Sequence, residues 1–201
     1  MAHELRSTIL ATLIVTCASC SDGVGVPIRL GALDQDDAAT EDGGFDERDR
    51  NELDEQHCEA TFEWPQSYAA DEAALLDAIN ALRERTIRCG QRDEIGELAP
   101  LRLSEALRCS ARLHSLDMVQ RDFIGRTNPD GQRPGERMRA AGFDVEDWDE
   151  SLAIGEREPE RALRQLLEDD GDDCMNVATR RHTHIGIGRF EDRWTLDFAA
   201  D

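Results

Sequence analysis

The sequence predicts an α+β domain, with helices in the first part of its folded region and strands at the end. Three observations lead there. Apolar residues recur at steps of three and four over 71–88 and 104–120, Pro134 and Pro159 each open a further short amphipathic run, and over 183–198 the period drops to two.

The first 20 residues hold one early arginine, Arg6, an apolar run from Ile9 to Val15, then small residues and two cysteines. That is the pattern of an export signal, too short for a spanning helix, which needs about 20 apolar residues. Cys17 and Cys20 each resemble the processed cysteine of a bacterial lipoprotein. Cys20 is the better candidate for lipidation, because Ser21-Asp22-Gly23 reads as the start of a tether. The expected organisation is a signal over 1–20, an acidic disordered tether over 21–66, and a folded domain over 67–201.

The first helix has Leu75, Ile79, Leu82 and Thr86 on one stripe, with Asp71 placed to cap it and Cys89-Gly90 to end it. Ser104 is a good N-cap for a second helix reaching about Gln120, whose inner face reads Leu107, Ala111, His114 and Met118. A lone histidine on such a stripe reads as a hydrogen-bonded core residue. Pro134 suits the first turn of a third helix that Gly142 closes, and Pro159 that of a fourth, with Ala162, Leu163, Leu166 and Leu167 inward. Residues 183–189 and 194–198 form two strands of a hairpin around Phe190-Glu191-Asp192-Arg193. No helix follows Gly186 and Gly188, so they make no phosphate loop and read as a close approach of the strand to a neighbour.

The formal net charge is −21, and every basic side chain besides histidine is arginine. Such a charge excludes nucleic acid as a partner, since a phosphate backbone must be met by clustered cations. The charge is uneven: residues 34–57 and 144–173 carry −9 and −10 of it. With Cys17 and Cys20 set aside, Cys58, Cys89, Cys109 and Cys174 remain, an even number in an exported chain. That predicts two disulfides rather than a metal cluster, with three pairings open.

In order along the chain come Leu75-Leu76-Asp77-Ala78-Ile79-Asn80-Ala81-Leu82-Arg83, Leu101-Arg102-Leu103-Ser104-Glu105-Ala106-Leu107, Ala111-Arg112-Leu113-His114-Ser115-Leu116-Asp117-Met118 and Phe123-Ile124-Gly125-Arg126-Thr127-Asn128-Pro129-Asp130-Gly131. Then follow Arg137-Met138-Arg139-Ala140-Ala141-Gly142-Phe143, Glu150-Ser151-Leu152-Ala153, Cys174-Met175-Asn176-Val177 and Ile185-Gly186-Ile187-Gly188 with its closing Trp194 strand. The ordered set resembles the CAP superfamily (SCP or PR-1-like domain) in its bacterial form, over about residues 70–199. The resemblance implies a three-layer α-β-α sandwich. It also implies a Cys89–Cys174 disulfide, which would leave Cys58 with Cys109.

The family cleft is marked by two histidines and acidic residues that can hold a divalent metal. Here the first histidine position is Arg126, the glutamate is kept as Glu150, and the second histidine position is Asp173, with Asp172 as the alternative. His182 and His184 lie too close to Cys174 to substitute and read as surface or packing residues. The expectation is therefore a cleft without metal or other cofactor, in which Arg126 lies across from Glu150 and Asp173 and holds both carboxylates. By function the chain reads as an exported, surface-tethered, non-enzymatic binding module for a protein or small-molecule ligand. It is expected to be a monomer, touching the membrane only through a lipid anchor. Two alternatives use the same cleft: a hydrolase, or a calcium protein using Glu150, Asp172, Asp173 and Asp169 or Asp170 as oxygen ligands.

Overall fold

The computed structural model describes residues 52–90, 94–168 and 172–200. The export signal, Cys17, Cys20, most of the expected tether, and Asp169 and Asp170 lie outside the described residues.

Folding starts earlier than the expected boundary at 67. Helix α1 (Glu55–Cys58) is capped by Asp54, whose side chain accepts from the His57 N–H, and a 3-10 turn follows (Glu59–Thr61). This acidic stretch has little to bury but is pinned at two points: Cys58 is bonded to Cys109, and the Asp54 N–H donates to the Ala141 carbonyl at 2.9 Å. Helix α2 (Gln66–Arg83) begins after Pro65, so Asp71 lies inside it rather than capping it, and pairs with Arg189. Tertiary contacts set that start. The Trp64 indole donates to Glu72 at 2.8 Å, and Trp64 and Tyr68 pack on Phe190. The helix ends at Arg83, which is buried and donates to the carbonyls of Ala99, Val177 and Thr179.

After strand β1 (Arg102–Leu103), Ser104 caps helix α3 (Glu105–Gln120), accepting from the Leu107 N–H. Helix α4 (Pro134–Ala140) opens on its proline, and Gly142 follows with a φ of +102°. The acidic segment beyond it forms strand β2 (Trp148–Ile154), then come helices α5 (Pro159–Glu168) and α6 (Asp172–Ala178) and the hairpin strands β3 (His184–Phe190) and β4 (Arg193–Ala199). The sheet order is β1-β3-β4-β2, with β1 parallel to β3 and the other pairs antiparallel.

The strand period of two divides the sheet into two faces. Ile185, Ile187, Trp194, Leu196, Phe198 and Ala153 pack with Leu75, Ile79, Ala162, Leu166 and Val177 from α2, α5 and α6. On the other face Gly186 and Gly188 lie so close to α3 that a Cβ on either would run into its backbone, at Leu107 and at Ala111. The result is an α-β-α sandwich. The second disulfide, Cys89–Cys174, ties the loop after α2 to α6.

Candidate functional site

Two arginines and three carboxylates gather around the N-terminal half of β2. Glu150 lies on the α3-facing side of the strand and is 2 % exposed. Directly across the ladder, in register, is Asp197 of β4, which is 0 % exposed. The two carboxyls are within hydrogen-bonding reach of each other. Arg137, one turn into α4, donates to Glu150 and, through Nη1, to the carbonyls of Arg126 (2.7 Å) and Gln132 (3.1 Å).

This buried group holds two carboxyls against one guanidinium. Ionising both carboxyls would leave a net negative charge out of water, which is costly unless fully compensated. Burial pushes Glu150 well above the usual carboxylate range, with the neighbouring Asp197 charge adding to it and Arg137 opposing it. Burial likewise lifts Asp197, to about 6. Burial and mutual repulsion thus both favour protonation within the pair, and Arg137 offsets the charge that remains.

His114 completes the cluster from α3, its Nε2 4.0 Å from Glu150 Oε1 and 2.9 Å from the Gly125 carbonyl. Burial and then the Arg137 charge push it down to about 3. It is neutral, and the carbonyl beside Nε2 assigns the N–H to that nitrogen.

Arg126 sits at the rim. It donates to Asp173 Oδ1 at 2.7 Å, from the loop after α3 to the first turn of α6. It makes no ion pair with Glu150, which differs from the expectation that one arginine holds both carboxylates. The reason is depth: Glu150 hangs beneath α4, within reach of Arg137, while Arg126 is nearly half exposed above it. Asp172 and Asp173 divide their roles, Asp173 taking Arg126 and Asp172 lining the cavity. That cavity, of about 270 Å³, is also lined by Arg126, Arg133, Trp148 and Glu150.

Residues 76–198 match the profile of the Cysteine-rich secretory protein (CAP) family. The chain belongs to this family. A relative, the uncharacterised YkwD of Bacillus subtilis, is 28 % identical over 136 residues, which are 67 % of this chain and 49 % of that protein. The chain thus spans about half the length of its curated relative. Among solved structures, an extracellular SCP-domain protein of Bacillus anthracis superposes with a TM-score of 0.58 at 19 % identity, covering 67 % of this chain and 41 % of that one. An outer surface protein of Borrelia burgdorferi gives 0.54 at 18 %, covering 65 % and 92 %. A cysteine-rich secretory protein of Staphylococcus aureus gives 0.52 at 12 %, covering 67 % and 40 %. These three are likenesses of fold.

The divalent metal that a CAP cleft can hold does not fit this donor set. By the resemblance, one histidine position is Arg126 and the other Asp173 or Asp172; Asp173 is bound by Arg126, and Glu150 is bound by Arg137. Among the described residues no three His, Cys, Asp or Glu side chains are grouped to hold a metal. His182 is a packing residue: it is buried, stacks on Phe198, and contacts the Asn176 carbonyl and Asp149 at 3.0 Å each. His184 is half-buried against Phe143. Reading the sequence found Arg126, Glu150 and Asp173 but missed Arg137 and Asp197 as partners. Asp197 carried a usable signal: a lone acid between Thr195 and Ala199 on one face of Thr195-Leu196-Asp197-Phe198-Ala199 must be buried whenever the hairpin is covered on both faces.

Proposed function

We propose that this CAP-domain chain is an exported binding module, tethered through Cys20, that holds a protein segment or small ligand in its cleft without a metal. The observation that carries this is the Arg126–Asp173 bridge at 2.7 Å, together with the Arg137–Glu150 pair. Fixed guanidinium groups stand where a cation would sit, and they neutralise the acidic side chains without drawing on solvent ions. The cleft keeps a ring face in Trp148 and a cation in Arg133, which has no ion pair among the described residues. Export agrees with the signal-like start, the two disulfides, and structural relatives that are an extracellular and an outer surface protein.

The experiment is a comparison of wild type with Thr127→Trp, an exposed rim position where an indole fills the mouth, as baits for envelope extract. One ligand or partner retained by wild type and lost by the variant supports the module. Equal capture by both contradicts it.

A second reading draws on one observation, the buried carboxyl pair of Glu150 and Asp197 at the cleft floor, in which burial raises both groups. Such a group can act as a general acid in a hydrolase. Turnover of chromogenic ester or glycoside substrates that disappears in Glu150→Gln would favour it over the binding module. Calcium binding lost in Asp173→Ala would favour the oxygen-ligand alternative.

A further inference from the structure

A second cavity, of about 420 Å³, opens on the other side of the Arg137–Glu150 pair, since Arg137 lines it while Glu150 lines the cleft. Its walls come from three separate pieces of chain: the segment of His57 and Ala60, the α3 face carrying His114, and the turn of Asn128 and Gln132. Each wall is fixed. The Cys58–Cys109 disulfide bolts the first to α3. The buried Asn128 side chain holds the turn by accepting from the Asp130 N–H at 3.1 Å and the Gln132 N–H at 2.9 Å. A cavity of this size preformed on rigid elements falls within the range of small-ligand sites, roughly 300–1,000 Å³.

Three polar atoms among its lining residues are buried and have no hydrogen-bond partner among the described residues, Ser110 Oγ, His114 Nδ1 and Arg137 Nε. The last two belong to side chains that are 1 % and 6 % exposed. Because His114 is neutral and gives its Nε2 proton to the Gly125 carbonyl, Nδ1 is an acceptor in need of a donor. Arg137 Nε–H is a donor in need of an acceptor. A buried polar atom left unmatched costs about 1–3 kcal/mol, so the site favours whatever supplies both. A hydroxyl group gives one hydrogen bond and takes another.

Charge narrows the class further. The net charge of −21 opposes anions, and the guanidinium in the inner wall, Arg137, is already matched by Glu150. At the rim Arg121 is held between Asp117 and Asp130, an ion triplet already matched within itself. Leu113 and Leu116 supply an apolar strip beside these groups. We infer that this cavity is a second binding site, distinct from the cleft, and that it takes a neutral polyhydroxylated molecule, one saccharide unit with its ring carbons on the leucines and a hydroxyl between His114 and Arg137.

The test is ligand-observed saturation-transfer NMR on the full oxidised chain with glucose, galactose, mannose, N-acetylglucosamine, cellobiose and chitobiose at millimolar concentration. The expected result is transfer to at least one sugar, weakened roughly tenfold or more in affinity by His114→Phe, as loss of a buried hydrogen bond requires. Leu116→Trp, which fills the cavity from a half-buried position, abolishes transfer, and Thr127→Trp in the cleft leaves it unchanged. If His114→Phe fails to fold, Leu116→Trp decides alone. No transfer from any sugar overturns the inference, as does binding that survives Leu116→Trp. Binding lost in Thr127→Trp but kept in Leu116→Trp moves the sugar to the cleft and also overturns it.

Discussion

The chemistry of this domain rests on two buried carboxyls, Glu150 and Asp197, set against one guanidinium. Asp197 is raised from 3.8 to about 6, so the native state holds a proton there that the unfolded chain has already lost. A raised acid gives stability that is present below its unfolded value and lost as pH climbs through its folded value, here between about 4 and 6. His114 works the other way: lowered from 6.5 to about 3, it gives stability that is present above about 6.5 and lost as pH falls. In wild type the two trends oppose each other. Asp197→Asn removes the first, so its stability relative to wild type should improve by on the order of 3 kcal/mol between pH 4 and pH 7, read from urea midpoints at each pH. A difference that does not change with pH would show that no proton is held at Asp197. Removing the cation is predicted to be worse: Arg137→Met leaves the carboxyl pair buried without its partner, at a cost of about 3–5 kcal/mol in urea unfolding. Arg126→Met at the exposed rim should cost less than about 1 kcal/mol. The residue types were legible in the sequence, but their pairing was not. Arg126 and Arg137 both precede Glu150 in one short stretch, and only the depth of β2 beneath α4 decides which reaches it.

Among the elements, those with a local start signal were readable. Ser104 caps α3, Pro134 and Pro159 open α4 and α5, and the alternation from His184 onward gives the hairpin. The elements set by distant contacts were not. Helix α2 starts at Gln66, before Asp71, because Trp64 and Tyr68 pack on the tip of a hairpin more than a hundred residues later. Strand β2 hid in an acidic run whose Glu150 and Ser151 are buried, against the usual sense of polar residues. Helix α6 opens on Asp172 and Asp173 without a distinct apolar stripe. The glycines of β3 were read as a close approach, and the sheet meets α3 backbone to backbone there. Gly186→Ala is therefore predicted to force α3 off the sheet and destabilise by more than about 3 kcal/mol, beyond the usual overpacking penalty because backbone atoms cannot rotate away. Thermal unfolding of that variant at wild-type stability would contradict the packing described.

At the scale of the whole molecule, the family and the sandwich follow from the order of several weak motifs, while the boundary of the folded unit does not. Composition marks residues 52–66 as tether, but a disulfide to Cys109 and a backbone bond to Ala141 draw residues 52–61 into the fold. A chain begun at residue 67 should lose the closure of a 51-residue loop, worth about 4 kcal/mol at most in the chain-entropy view, and expose Cys109 to thiol reagents. A chain begun at residue 45 should keep both properties of the full protein. Cys89→Ser should cost a similar amount, since its loop spans 85 residues. These constraints hold in place a site where Arg126 and Arg137 bind the carboxylates of Asp173 and Glu150, and the proposal is that they leave no place for a metal. Isothermal titration calorimetry of the oxidised full chain with zinc at neutral pH tests it most directly. The prediction is no binding at micromolar concentrations, in wild type and Glu150→Ala alike, and tight zinc binding by wild type that Glu150→Ala abolishes would contradict it.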